Sequence, residues 1–395
     1  MPSRDNMTFS HSLHNFQTLP SFKTRDIATM CRWAIVRARL GDPWAGLGIA
    51  YMAHERAVAT RDRRDTMLAL NASAMCHATR NDEMMALAAA VDAFLLAQEL
   101  DDKVEADQAL ATIAGSPIPA STLEESPALL AEIAERAEQR GDIDLVIRAR
   151  ANRAVVLGDR ERFDEAEADL SIVVRLFAEH SDEAFSQARI QLNVANLHRK
   201  RMLHLSSRGE VDAATAAFQH AMTIANQAQH LAEQEQNVPV QILTAGILGS
   251  LYRAHGDAED AIRILAETLP LARHSHVQGQ LPFILSELAE GYAILGDTKQ
   301  YTSTLELALN EAVTQRPTER AEQLCRKLYT QAEADGRVED GDLWLRRADL
   351  EKRDFALAHE QVGRQVRKLY EAYSQARGGI NSGASAASGE SGSGA

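Results

Sequence analysis

His274 and His276 stand one residue apart, a spacing at which two imidazoles can share a zinc ion. No cysteine or carboxylate joins them at a ligand spacing, so the pair reads as a solvated helix end. Gly46-Leu47-Gly48 would open a dinucleotide-binding turn only with a strand before it and a third glycine after it, and it has neither. Cys31, Cys76 and Cys325 are odd in number, far apart and in no CxxC spacing. They make neither a disulfide framework nor a zinc site, and they suit a reducing cytoplasm. GxxxxGK[ST], HExxH and GxSxG are all absent. The aspartates and glutamates fall mostly in first helical turns and on outer faces, where they cap helices and keep the chain in solution. These residues predict a chain that is not an enzyme, takes no cofactor and holds no metal.

The elements that must carry these residues are helices. Ala, Leu, Glu, Arg and Gln dominate, aromatic residues are 5% of the chain, and period-two runs of Val, Ile and Thr are nearly absent. The stretch GILGSLYRAHGDAEDAIRILAETLPLAR, residues 246–273, shows the unit. Pro239 sits where a helix start tolerates a missing N–H, and Ile242, Leu243, Ile247, Leu248 and Leu251 recur at three- and four-residue steps. Gly256 suits a left-handed helix end, Asp257 is placed to cap the next helix, and Ala261, Leu265 and Leu269 form that helix's inner stripe. Gly249 and Ala261 are small where two antiparallel helices approach, and Tyr252 is large enough to fill the gap beside them.

The pattern returns. Pro282, Leu288, Tyr292, Gly296, Asp297, Tyr301, Leu305 and Ala308 repeat it, as do Pro317, Tyr329, Gly336, Leu345 and Ala348. Earlier copies are Gly209, Ala214, Phe218 and Ala221, and Phe163, Ala166, Leu170 and Val173. Turn markers near 41, 81, 117, 160, 209, 256, 296 and 336 predict eight helical hairpins about forty residues apart, a solenoid.

These residues resemble the tetratricopeptide repeat family, most specifically over 239–310. The resemblance implies an all-α, right-handed superhelical solenoid that binds a peptide or protein segment in a concave groove. The period is longer than the family's usual thirty-four or so residues. It is similar to the long-helix branch found in bacterial signalling and transcription-regulator proteins. In that family, groove-facing residues form one stripe on each hairpin's first helix, counted back from the turn glycine. Transferred here, the stripe gives Asn196, Arg199 and Leu203; Ser250 and Arg253; Phe283, Ser286 and Glu290; and Gln323, Arg326 and Thr330. The earlier repeats add Asn71, Met75, Arg148 and Asn152.

Arginine recurs in that stripe although the body is acidic. The net charge is −14, and residues 65–345 hold 24 Lys and Arg against 45 Asp and Glu. Residues 1–64 hold 10 against 5, and residues 346–377 hold 8 against 5. This distribution argues against nucleic acid as a partner. The stripe predicts forked hydrogen bonds from Arg148, Arg199, Arg253 and Arg326 to carboxylates of a partner segment, with asparagines holding its backbone. The competing reading pairs these arginines with the protein's own carboxylates.

The domain boundaries expected from sequence are a mobile arm at 1–22, the repeat array at 23–348, a capping or coiled-coil helix at 349–377 and a disordered Gly/Ser/Ala tract at 378–395. Phe355, Val362, Val366, Leu369 and Tyr373 form the apolar seam of that helix. It either covers the last hairpin or pairs with a second copy through 350–377. The most apolar run, 84–97, is short for a bilayer and carries Asp92, so no membrane contact is expected. Two functional readings follow: a cytoplasmic scaffold or adaptor, and a ligand-sensing regulator whose end helix carries the output.

Overall fold

A computed structural model describes residues 26–80, 82–116, 124–180, 186–275, 278–314 and 319–387. The expected arm at 1–22 and the last part of the Gly/Ser/Ala tract, 388–395, lie outside the described residues.

Among the described residues the chain is helical throughout, and its sixteen α-helices pair as eight hairpins. The first four are α1 (Ile27–Arg39) with α2 (Pro43–Thr60), α3 (Arg63–Thr79) with α4 (Glu83–Glu99), α5 (Lys103–Gly115) with α6 (Ser126–Arg140), and α7 (Ile143–Asp159) with α8 (Phe163–Glu179). The remaining four are α9 (Gln187–Ser207) with α10 (Val211–Gln234), α11 (Val238–His255) with α12 (Ala258–His274), α13 (Leu281–Ile294) with α14 (Thr298–Thr314), and α15 (Glu319–Ala334) with α16 (Val338–Ala387). Each turn marker read from the sequence falls inside one hairpin.

Local chemistry sets the helix ends. Asp26, Asp42, Asp62, Asp102 and Asp142 each accept a hydrogen bond from the backbone N–H three residues on, satisfying a donor the helix cannot. Gly256 ends α11 at φ 99°, as its residue type predicts. Asp257 makes no side-chain cap; its carboxylate is taken by His255 Nδ1 at 2.8 Å. Gly249 meets Leu265 of α12, where a Cβ would lie 2.6 Å from Leu265 Cγ, so any larger residue here must push Leu265 aside. Ala261 and Leu265 are fully buried beneath it.

The core is a chain of clusters, each bridging neighbouring hairpins: α1 to α3, α3 to α7, α9 to α11, α11 to α13 and α13 to α16. Alanine supplies much of it, allowing short interaxial distances. Two ties break the neighbour-only rule expected of a solenoid. Arg39, at the end of α1, makes two hydrogen bonds of 2.8 and 2.7 Å to Asp144 of α7, while the buried Asn237 before α11 donates to the Arg39 carbonyl at 3.3 Å. The tip of the first hairpin therefore touches the fourth and the sixth.

The second tie is α16. It runs unbroken past 349 to Ala387, including residues 378–387 of the Gly/Ser/Ala tract. Its first turns pack on α15 through Ala348 and Trp344. Residues 352–357 are then mostly exposed. Further on, Val366 is 3% exposed within the cluster of α3 to α7, and Leu369 packs against that cluster. This part of the expected seam faces the protein's own N-terminal half. The side chains of Val362 and Tyr373 lie outside the described residues.

Candidate functional site: the inner wall of the array

The first helices of successive hairpins pack on one another and form one continuous wall, and α9 shows how. Its core contacts are Ala188, Leu192 and Ala195 toward α10 and α11 on one flank, with Leu197 toward α7 and α8 on the other. At 100° per residue, the stripe left between those flanks holds Arg189, Asn193, Asn196 and Lys200. Arg199 falls outside that stripe, on the flank toward α11 between Ala188 and Leu192 in projection.

On the N-terminal half of this wall, Asn71 Nδ2 donates to the Glu105 carboxylate at 2.6 Å. Burial raises the Glu105 pKa against that bond. Next to it, Arg148 Nη2 donates to the Gln108 carbonyl at 2.9 Å and to the Gln108 side chain, and Nη1 lies 3.9 Å from Met75 Sδ. Arg148 is half-buried, with its Nε out of solvent contact. Burial, reinforced by Arg39, draws its pKa down to about 10. Asn152 Nδ2 donates to the Ala111 carbonyl at 3.0 Å and packs on Gly115.

On the C-terminal half, Asn196 Oδ1 accepts from Arg199 Nε and Nη2 at 3.2 and 3.0 Å, and Arg199 Nη1 donates to the buried Ser250 hydroxyl at 3.3 Å. Burial lowers the Arg199 pKa. Arg253 Nε bonds Glu287 at 2.8 Å, Lys327 pairs with Glu290, and the Arg320 guanidinium lies 5.1 Å from the Phe283 ring centre. Ser286 is half-buried on α13. Arg326 pairs with Glu322 and, at 3.8 Å, Asp349; Thr330, exposed, returns its hydroxyl to the Arg326 carbonyl.

The structure therefore sorts the predicted arginines. Arg253 and Arg326 are engaged by the protein's own carboxylates. Among the described residues, Arg148 and Arg199 form no ion pair and bond only neutral groups. A third such arginine was not in the predicted stripe. Arg189 has no side-chain hydrogen bond or ion pair among the described residues, its Nε is out of solvent contact, and burial alone lowers its pKa. Counting back about thirteen residues from Gly209 stops short of it because α9 is 21 residues long. Extending the same stripe by two more turns reaches it.

The other residues singled out by type are structural. Gly46 and Gly48 lie buried inside α2. The three cysteines are buried, and burial pushes the thiols of Cys31 and Cys76 up to about 12 and that of Cys325 to about 11, far from nucleophilic. His274 bonds the Pro270 carbonyl at 2.7 Å, and His276 lies outside the described residues. Among the described residues there is no group of three potential metal ligands, and no helix is long and apolar enough to cross a membrane.

Paired antiparallel helices stacked around an inner wall define a tetratricopeptide-like helical-repeat solenoid. No family model matches the sequence, and no curated protein matches it. Among solved structures, a Rap protein complexed with competence and sporulation factor is similar over 80% of this chain and 87% of its own, with 12% identity and a TM-score of 0.51. The TPR-like repeats of a putative kinesin light chain from Podosopora anserina align with 52% of this chain and 94% of theirs, at 16% identity and a TM-score of 0.39. The Cut9-Hcn1 hetero-tetramer of APC/C aligns over 80% and 59%, at 12% identity and a TM-score of 0.34. The Rap likeness shows the fold.

Proposed function

We propose that this chain is a non-enzymatic interaction module, a scaffold or adaptor in bacterial regulation or signalling, that holds an acidic protein or peptide segment against its inner wall in the cytoplasm. One observation carries the reading: Arg148, Arg189 and Arg199 are crowded by protein, carry no carboxylate partner among the described residues, and stand inside a body rich in acid. Asp144, Asp142 and Glu105 act on Arg148, and Glu287 and Asp159 on Arg199, only from beyond ion-pair distance, and an occupant's carboxylates would bond these cations directly. The likeness in fold to a Rap protein that is complexed with competence and sporulation factor supports a ligand for such an array. The test is fluorescence anisotropy of labelled hexaglutamate and hexalysine against the full chain and the Arg148→Gln/Arg199→Gln variant. Hexaglutamate should bind, and the double variant should weaken it by about tenfold or more. Equal affinity for both proteins, at unchanged helicity, would sink the reading.

A second reading is favoured by the docking of α16 on the N-terminal half: a ligand in the wall shifts that contact, and the helix transmits the change to a partner. Homodimerisation through 350–377 stays within this second reading, using the helix faces that Val366 and Leu369 leave free.

A further inference from the structure

Glu287 meets Arg253 on one edge only. Its Oε2 accepts from Arg253 Nε at 2.8 Å, while Arg253 Nη1 and Nη2 make no hydrogen bond among the described residues and stay in contact with solvent. The end of a guanidinium carries two parallel N–H groups, the fork that a carboxylate grips with both oxygens. That fork is open here. The Arg253 side chain is 25% exposed, and its bond to Glu287 fixes where the guanidinium lies.

The charges around the fork do not balance. Arg199 Nη1 reaches the Ser250 hydroxyl, and Ser250 lies three residues before Arg253 on α11, so both arginines serve one face of that helix. Arg199 bonds only the neutral Asn196 and Ser250, and it feels the like charges of Arg253 and Arg320 and the opposite charge of Glu287. Asp159, which also acts on Arg199, is paired with Lys200. Arg199 and Arg253 thus share one internal carboxylate, leaving one positive charge in excess. Phe283, one turn before Glu287 on α13, packs on Gly246 of α11 and has the Arg320 guanidinium 5.1 Å from its ring centre. We infer that this part of the wall takes one aspartate or glutamate side chain of the partner segment, with both its oxygens on the Arg253 fork and Arg199 supplying the balancing charge. Glu287 positions the fork and, as a like charge, holds down its affinity. This rests on the acidic-partner reading above and places its contact.

The test measures fluorescence anisotropy of labelled hexaglutamate and hexalysine against the full chain and its single variants. Arg253→Gln should weaken hexaglutamate by about tenfold, and Arg253→Lys, which keeps the charge without the fork, by about threefold. Glu287→Gln removes the competing charge and should tighten hexaglutamate by about threefold or more. Glu267→Gln makes the same charge change on the exposed face of α12 and should move the affinity by less than about twofold, because salt screens it. Opposite signs at 253 and 287 separate binding from a purely structural ion pair, whose loss from either side would act in one direction. Far-UV dichroism and melting check that each variant folds. If hexaglutamate binds more tightly than hexalysine, but the 253 and 287 variants leave it unchanged or both weaken it, the placement is wrong while the acidic reading stands. If hexaglutamate binds no better than hexalysine, both fall.

Discussion

Replacing Val366 with Asp tests whether the far half of α16 is held by its contact with the N-terminal half. Val366 is 3% exposed in the cluster of α3 to α7, and burying a valine side chain is worth about 1.5–2 kcal/mol. Leu369, only partly buried, adds about 1 kcal/mol. Between this anchor and the α15 contact, residues 352–357 are mostly exposed and contribute little packing. The opening free energy of the distal helix is therefore about 2–3 kcal/mol above fraying, and an unpaired carboxylate at 366 removes most of it. Native-state hydrogen exchange reads this directly. Amides beyond 360 should exchange roughly thirtyfold faster in the variant, as about 2 kcal/mol requires. Amides of α15 and of 338–351 should keep their protection. Unchanged exchange beyond 360 would mean that Val366 does not anchor the helix. A uniform rise that includes α15 would mean that α16 does not open separately from the array.

Three further outcomes follow from the packing. His198 is buried on α9, stacks on His220 of α10 at 4.2 Å between ring centres, and faces Glu167 and its own helix's Arg201; burial first, and His220 second, lower its pKa below the unfolded value near 6.5. The unfolded chain then binds the proton more readily, so His198 supports the fold fully above about pH 6.5 and less as pH falls. The melting temperature should drop between pH 7.5 and 5.5, and His198→Gln should flatten that slope. Asp107, 2% exposed, holds Arg136 at 2.6 Å and Arg140 at 3.0 Å; Asp107→Ala should cost about 2–3 kcal/mol in urea unfolding, the lower range because both arginines retain some water. Gly249→Ala should destabilise by about 1–2 kcal/mol despite alanine's better helix propensity, and Leu265→Val beside it should recover part of the loss in a double-mutant cycle.

The hairpins were legible because their signals are local. Gly256, Gly296 and Gly336 adopt positive φ where the repeat places its turns, and Asp at N-caps and Pro at first turns mark the helix starts. Arg61, Asp101, Glu161 and Gln236 adopt the same left-handed geometry without being glycine. Glu161 falls at the turn marker near 160, whereas at Arg61, Asp101 and Gln236 no glycine marks the turn in the sequence. The wall was half legible. The stripe carried over from the repeat resemblance named Arg148, Asn152, Asn196 and Arg199, and it did not reach Arg189. Whether an arginine is already neutralised depends on carboxylates tens of residues away, such as Glu287 for Arg253. Nothing in the local pattern announces the Arg39–Asp144 tie or the burial of Val366, since each joins hairpins remote in sequence.

The tie at the tip of the first hairpin bears on how the wall keeps arginines without a bonded carboxylate. A solenoid held only by nearest-neighbour contacts bends readily, and a bent array would let buried guanidiniums swing toward water or toward acidic neighbours. Here Asp144, which holds the tip of the first hairpin, lies one helical turn before Arg148, and Arg148 feels both the like charge of Arg39 and the opposite charge of Asp144. Asn237 joins the same tip to the start of α11, the helix that carries Ser250 and Arg253. Fixing the first, fourth and sixth hairpins against one another limits the collapse that would pair Arg148 or Arg199 internally. On the proposed reading, the desolvation cost is carried by the scaffold in advance, so an acidic segment would meet cations already in position.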